Sequence, residues 1–238
     1  MQGMRKTGNG HMKIVYEDEW MIVVNKPHGL LTMSSGKAGE ETAYSMLNEY
    51  VRNSGRNGRS RIFIVHRLDR DTSGLLVFAK DEKTKSALQD NWEEAVLERK
   101  YTAVLEGSID DEEGWIETWL YENPKSFKVH CYPVRDDIPP RKEWKSASTH
   151  CRTLSRYEID GHPYTMVEFE LETGRKNQIR AHAGWIGHPI AGDRKYGAAT
   201  DPFRRLALHA HTLTFIHPWT GKTMKFTSSF PKCLKKAR

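Results

Sequence analysis

The sequence predicts an α+β fold, a single domain around a mainly antiparallel β-sheet. Three observations point there. Short apolar or alternating segments recur along the chain, each the length of a strand. Turn signals join several of them in pairs, Asp160-Gly161 and the Pro218 to Gly221 segment among them. Helical spacing is sparse, which fits helices laid against a sheet rather than alternating with its strands.

Taken in order, Lys13 to Tyr16 and Met21 to Asn25 read as strands. Asn25-Lys26-Pro27 ends the second, because proline cannot donate to a ladder. Thr42 to Val51 carries Ala43, Met46, Leu47 and Tyr50 at helical spacing. Ile62 to Val65 and Leu75 to Ala79 have the β-branched, apolar character of strands covered on both faces. Asp81 is placed to cap a helix running through Leu88 and Trp92. Tyr101 to Leu105, Trp115 to Leu120, Thr149 to Tyr157 and Tyr164 to Leu171 read as strands, the last two joined at Asp160-Gly161. Asn177 to Ile186 forms a short helix after the Gly174 turn, and Thr212 to Ile216 pairs with Thr223 to Phe226 in a closing hairpin.

The chain has 238 residues, enough for one sizeable core, and no linker-like tract divides it. A formal net charge of +6 suits a polyanionic partner. Arg52, Arg56, Arg59 and Arg61 gather in an Asn/Gly/Ser-rich segment that could follow a phosphate backbone or could equally be a solvated loop. No apolar run approaches the roughly 20 residues of a membrane span, and the N-terminus lacks a secretory core, so a cytoplasmic protein is expected. Cys131, Cys151 and Cys233 have no CxxC spacing, which indicates free thiols. Residues 1–12 have little core-forming pattern and read as a disordered extension or tag remnant, leaving 13–238 as the folded domain. Neither G-x-x-x-x-G-K-[ST] nor G-x-G-x-x-G occurs, which disfavours a nucleotide-dependent enzyme. His209 and His211 share one face of a strand but lack a third ligand for a catalytic zinc, so no metal is expected.

The most informative segment is IFIVHRLDRDTSGLLVFAK, Ile62 to Lys80, in which two apolar runs enclose a polar loop. Asp69 sits there between Arg67 and Arg70. Neighbouring positive charge favours an ionised carboxylate, which can serve as nucleophile or base. The competing reading is a turn whose Asp and Thr cap backbone groups.

HRLDRDTSGLLVFAK resembles the signature loop of the RluA-type pseudouridine synthases. Three further segments match that family in the same order: VVNKPHGL at Val23 to Leu30, RKYTAVLEG at Arg99 to Gly107, and LETGRKNQIRAHAGWIGHPIAGDRKYG at Leu171 to Gly197. LHAHTLTFIHPWTG, from Leu208, is a weaker fifth. The resemblance implies a mixed sheet with a central cleft and an isomerase that detaches uracil from ribose, turns it and rejoins it through carbon 5. Nothing is gained or lost, so no cofactor is required.

Residue by residue, the resemblance makes Asp69 the catalytic carboxylate, Tyr101 the tyrosine against the target uracil, and Arg180 of NQIRAH the arginine that pairs with the catalytic Asp. Bland readings stand beside these, a half-buried strand tyrosine and a surface helix arginine. Where the family usually has Thr-His, this chain has Lys176-Asn177, which bears on local RNA contacts. Arg67, Arg70, Lys26, Arg175, Lys176, Arg56 and Arg59 are expected to contact RNA, Arg67 either entering the space left by a flipped base or pairing with Asp71. Asn25, Lys26 and Pro27 also shape a pocket wall. The NKPxGL match begins almost at the start of the chain, so no separate N-terminal RNA-binding domain is expected. The expected partner is an rRNA or tRNA stem-loop, bound by a monomer. A non-catalytic RNA-binding protein and a carboxylate-dependent N-glycoside hydrolase, with Asp71 as second carboxylate, are the alternatives.

Overall fold

A computed structural model describes residues 6–7, 10–34, 36, 39–54 and 60–235. In chain order the elements are β1 (Lys6–Thr7), β2 (Gly10–His11), β3 (Lys13–Glu17), β4 (Met21–Lys26), α1 (Ala43–Ser54), β5 (Phe63–Ile64), β6 (Ser73–Ala79), α2 (Glu82–Asp90), α3 (Trp92–Ala95), β7 (Val96–Glu106), β8 (Glu113–Glu122), β9 (Val129–Pro133), β10 (Lys145–Ile159), β11 (His162–Leu171), α4 (Gln178–Trp185), a 3-10 turn at Arg194–Tyr196, β12 (Leu208–Ile216), β13 (Thr223–Thr227) and α5 (Lys232–Lys235). The expected α+β class, with antiparallel pairing predominant, is what the chain adopts. It divides into two compact units, Met1–Glu98 with Ala210–Ser229, and Arg99–His209 with Phe230–Arg238.

In the first unit the strands lie in the order β3-β4-β6-β12, with β13 paired to β12 and β5 to β6. β6 is buried at every position, as its unbroken apolar run requires. Met21, Val23, Leu75, Val77, Leu213 and Phe215 form its core. The Asp81 cap is in place, accepting the Thr84 N–H at 2.8 Å. The helix it starts stops sooner than the spacing predicts: Asn91 leaves helical geometry, and Trp92 begins the separate α3. Ile62 to Val65 is also less regular than predicted. Only Phe63 and Ile64 join the ladder, while Ile62 and Val65 are apolar because they are buried loop residues. Met12, set aside on sequence, is fully buried. Gly74 has φ 123°, and a Cβ there would overlap the Ala210 backbone, so this end of the HRLDRDTSG loop admits no side chain.

In the second unit the order is β7-β11-β10-β8-β9. Asp160 and Gly161, at φ 51° and 76°, form the two-residue turn between β10 and β11 that the sequence announces. Helix α4 buries Ile179, Ala181 and Ala183. Within it, fully buried His182 bridges two strands, its ring nitrogens 3.0 Å from the Thr118 hydroxyl and 2.9 Å from that of Thr149. Among the described residues no helix is long and apolar enough to cross a membrane.

Burial lowers the His182 pKa to about 4, so the imidazole is neutral in the fold and protonates readily only when exposed. Its contribution to stability is complete above the unfolded value near 6.5 and is lost as pH falls toward about 4. Between pH 7 and 4 the urea midpoint should decline, and His182→Gln should flatten part of that decline. A midpoint curve of unchanged shape in the variant would show that His182 does not drive it.

Candidate functional site

In the first unit the expected catalytic loop runs from β5 to β6 and is held by its backbone. Thr32, almost fully buried, grips Leu68: the Leu68 N–H donates to the Thr32 oxygen at 3.2 Å and the Thr32 hydroxyl donates to the Leu68 carbonyl at 2.8 Å. Just beyond Asp69, the Arg70 carbonyl accepts from Lys26 Nζ at 3.0 Å. Both neighbours of Asp69 are therefore tethered, while its own side chain is half-buried. A carboxylate on a backbone fixed at either side can be presented in one direction with little ordering cost. His66 adds a further tie, its Nε2 accepting the Val77 N–H at 3.2 Å.

Lys26 corrects an expectation. Its charge suggests a surface residue that meets RNA, yet it is fully buried, and its ammonium also donates to the carbonyls of Leu30 at 2.7 Å and Pro27 at 3.1 Å. Three carbonyl acceptors match the three N–H of an ammonium. The residue joins the NKPHGL segment to the Asp69 loop and is not a phosphate contact. Lys26→Met keeps most of the apolar stem but strands those carbonyls, and should cost about 3 kcal/mol in a denaturant titration. A loss below about 1 kcal/mol would mean the loop is held without it.

Arg70 and Arg67 do reach solvent. Arg70 is ion-paired to Glu40 at 2.8 Å, and Arg67 Nη1 lies 3.7 Å from the Met33 sulfur. Asp71 is exposed. Arg56 and Arg59 lie outside the described residues.

In the second unit, Tyr101 sits on β7 opposite Phe169 of β11, half-buried against the core. Arg180 projects from α4 and is largely buried. Its Nε and Nη2 form a fork onto the two carboxylate oxygens of Asp193, at 2.7 and 2.8 Å, and Asp193 is itself buried. The guanidinium also lies over the Tyr196 ring, whose centroid is 5.2 Å away. Asp193 and Tyr196 were not singled out on sequence. The signal lay in AGDRKYG, where a carboxylate precedes the one-turn 3-10 segment and a tyrosine ends it.

The Lys176-Asn177 departure falls on the turn that leads into α4. Asn177 occupies the left-handed region at φ 53°, which asparagine tolerates better than most residues, and its amide donates to the Tyr196 hydroxyl at 3.1 Å. The preceding turn is stitched by Gln178, whose oxygen accepts from the Thr173 hydroxyl and the Arg175 N–H and whose amide donates to Ser148 and Thr149. Arg99 secures the same turn through the Leu171 and Glu172 carbonyls. Arg175 donates to the Ser146 carbonyl at 3.2 Å, and exposed Lys176 pairs with Glu122.

A sequence model described as RNA pseudouridylate synthase matches residues 20–185, most of the chain. The uncharacterized RNA pseudouridine synthase YlyB of Bacillus subtilis is 37% identical over 223 residues, 93% of this chain and 70% of that protein. The ribosomal large subunit pseudouridine synthase D of Neisseria meningitidis is 36% identical over 233 residues, 92% of this chain and 58% of that protein. Among solved structures, human RNA Pseudouridylate Synthase Domain Containing 4 superposes with a TM-score of 0.75 at 21% identity, covering 93% of this chain and 90% of that one, a likeness of fold. The chain belongs to the RluA-type RNA pseudouridine synthases, a family of isomerases.

Proposed function

We propose that this protein isomerises a specific uridine in structured RNA, with Asp69 as the catalytic carboxylate. The observation that carries the reading is the double tether of Leu68 and Arg70, which fixes the backbone on both sides of the one acidic residue in the HRLD motif. Such anchoring is what a group needs if it is to meet a reacting atom repeatedly in one geometry. In the reaction the C1′–N1 bond breaks, the uracil turns, a C1′–C5 bond forms, and the C5 proton leaves as N1 regains one. The balance closes without an oxidant, metal or nucleotide. Asp69 attacks or deprotonates, Tyr101 supports the uracil and can move a proton, and Arg180 steadies the carboxylate, as the resemblance implies. The names of relatives that act on the large ribosomal subunit favour rRNA as the substrate class over tRNA.

The test is incubation of purified protein with protein-free rRNA and, separately, tRNA, in buffer with chelator and no nucleotide, followed by mapping of pseudouridine. Pseudouridine at one or a few positions is expected. Release of free uracil would instead indicate a hydrolase, and RNA binding with neither product would leave a binding protein.

A further inference from the structure

We infer that the second unit carries a binding subsite for a single-stranded segment of RNA, in which Phe127 stacks on a base. The inference rests on the reading of RNA as substrate and adds a place where the chain holds it. A cavity of about 470 Å³ opens between the Gly174–Lys176 turn and the ends of β8 and β9. That volume suits one nucleotide. Lys145, Arg175 and Lys176 line it together with Glu122 and Glu143, and Lys176 is already paired with Glu122. The β8–β9 turn adds Lys125 and Lys128, while Lys195 donates to the Phe127 carbonyl at 2.7 Å. Among the lining side chains three cations stand against two carboxylates, and Lys125 and Lys128 on the adjoining turn add to the positive side, the balance a phosphate backbone needs.

Phe127 is what makes this more than a charged surface. It lies where the β8–β9 turn closes, its N–H donating to the Asn123 carbonyl at 2.8 Å, is 61% exposed, and holds φ 52°, where a bulky side chain is strained. A turn built for stability alone would place glycine or asparagine there. One aromatic face receives the Lys176 ammonium at 5.6 Å from the ring centroid. An exposed ring on a strained backbone beside a cationic cavity is the arrangement by which single-stranded nucleic acids are held, base on ring and phosphate on lysine.

Binding of octaadenylate, which contains no uridine, is measured by fluorescence anisotropy on protein carrying Asp69→Ala, so that turnover plays no part. Adding Phe127→Asn should weaken binding about tenfold, the loss of one stacked base. The same change should hold or raise the melting temperature, because asparagine tolerates that backbone. A merely structural Phe127 would give the opposite, a lower melting temperature with unchanged affinity. Lys125→Ala with Lys145→Ala should flatten the log-log salt dependence by about one unit, and Glu143→Gln should tighten binding. Trp115→Ala, which removes an aromatic 55% exposed on β8, is the control and should leave affinity unchanged. Wild-type affinity in Phe127→Asn, or an equal loss in Trp115→Ala, overturns the inference. Because no step depends on catalysis, that result is distinct from a failure to form pseudouridine.

Discussion

Replacing Asp69 by alanine is expected to lower pseudouridine formation by roughly 10⁴-fold or more, the scale seen when a reacting group is removed from an enzyme. Most of the fold's stability should remain. The side chain is half-buried, and the loop is held through Thr32 on Leu68 and Lys26 on Arg70, neither of which uses the carboxylate. Affinity for RNA, which comes mainly from phosphate contacts, should change little. Single-turnover assays with mass-spectrometric quantification of pseudouridine decide the matter. Turnover within tenfold of wild type would remove Asp69 from the chemistry, while loss of activity accompanied by a lower melting temperature would point to the loop instead.

Asp193→Ala should produce a large loss of stability, comparable to that of Lys26→Met. It leaves the Arg180 guanidinium largely buried without the two oxygens that meet its fork, a situation that typically costs 3–5 kcal/mol, here about 3 because Arg180 retains some exposure. Activity should fall as well, since a guanidinium released from its fork no longer has one orientation. The double variant Arg180→Met with Asp193→Leu removes both charges and should regain much of the stability without regaining activity. Denaturation midpoints for the single and double variants supply the cycle. A single-variant loss below about 1 kcal/mol would show that Asp193 does not hold Arg180.

What the sequence disclosed and what it hid divide along physical lines. Strands β4, β6 and β11 and the β10–β11 turn were legible because burial on both faces, alternation and an Asp-Gly pair are local properties. Strand β9 was not legible, because Val129-His130-Cys131-Tyr132-Pro133 mixes an imidazole, a thiol, a phenol and proline with no clean period; its partner β8 supplies the order. The Asp69 loop announced itself through composition. Its supports did not, because Thr32 and Leu68 meet only after the fold has formed. Lys26 misled for the opposite reason. A lysine is ordinarily solvated, and nothing in its neighbours tells that three carbonyls converge on it. Asp193 and Arg180 are joined across a turn that no periodicity reports.

The division of the chain bears on how it comes to be folded as it is made. The first unit is discontinuous: Met1–Glu98 waits for Ala210–Ser229, which bring Leu213, Phe215 and Phe226 into its core. A nascent chain that has emerged only through Glu98 therefore exposes Met21, Val23, Leu75 and Val77 without their final covering. The second unit is nearly complete before that, needing only Phe230 and Leu234 from the far end. Synthesis should thus yield an ordered middle before an ordered beginning, with the Asp69 loop among the last parts to be fixed. A chain cut after His209 should be insoluble or captured by chaperones, whereas its Arg99–His209 portion should already show protection from proteolysis.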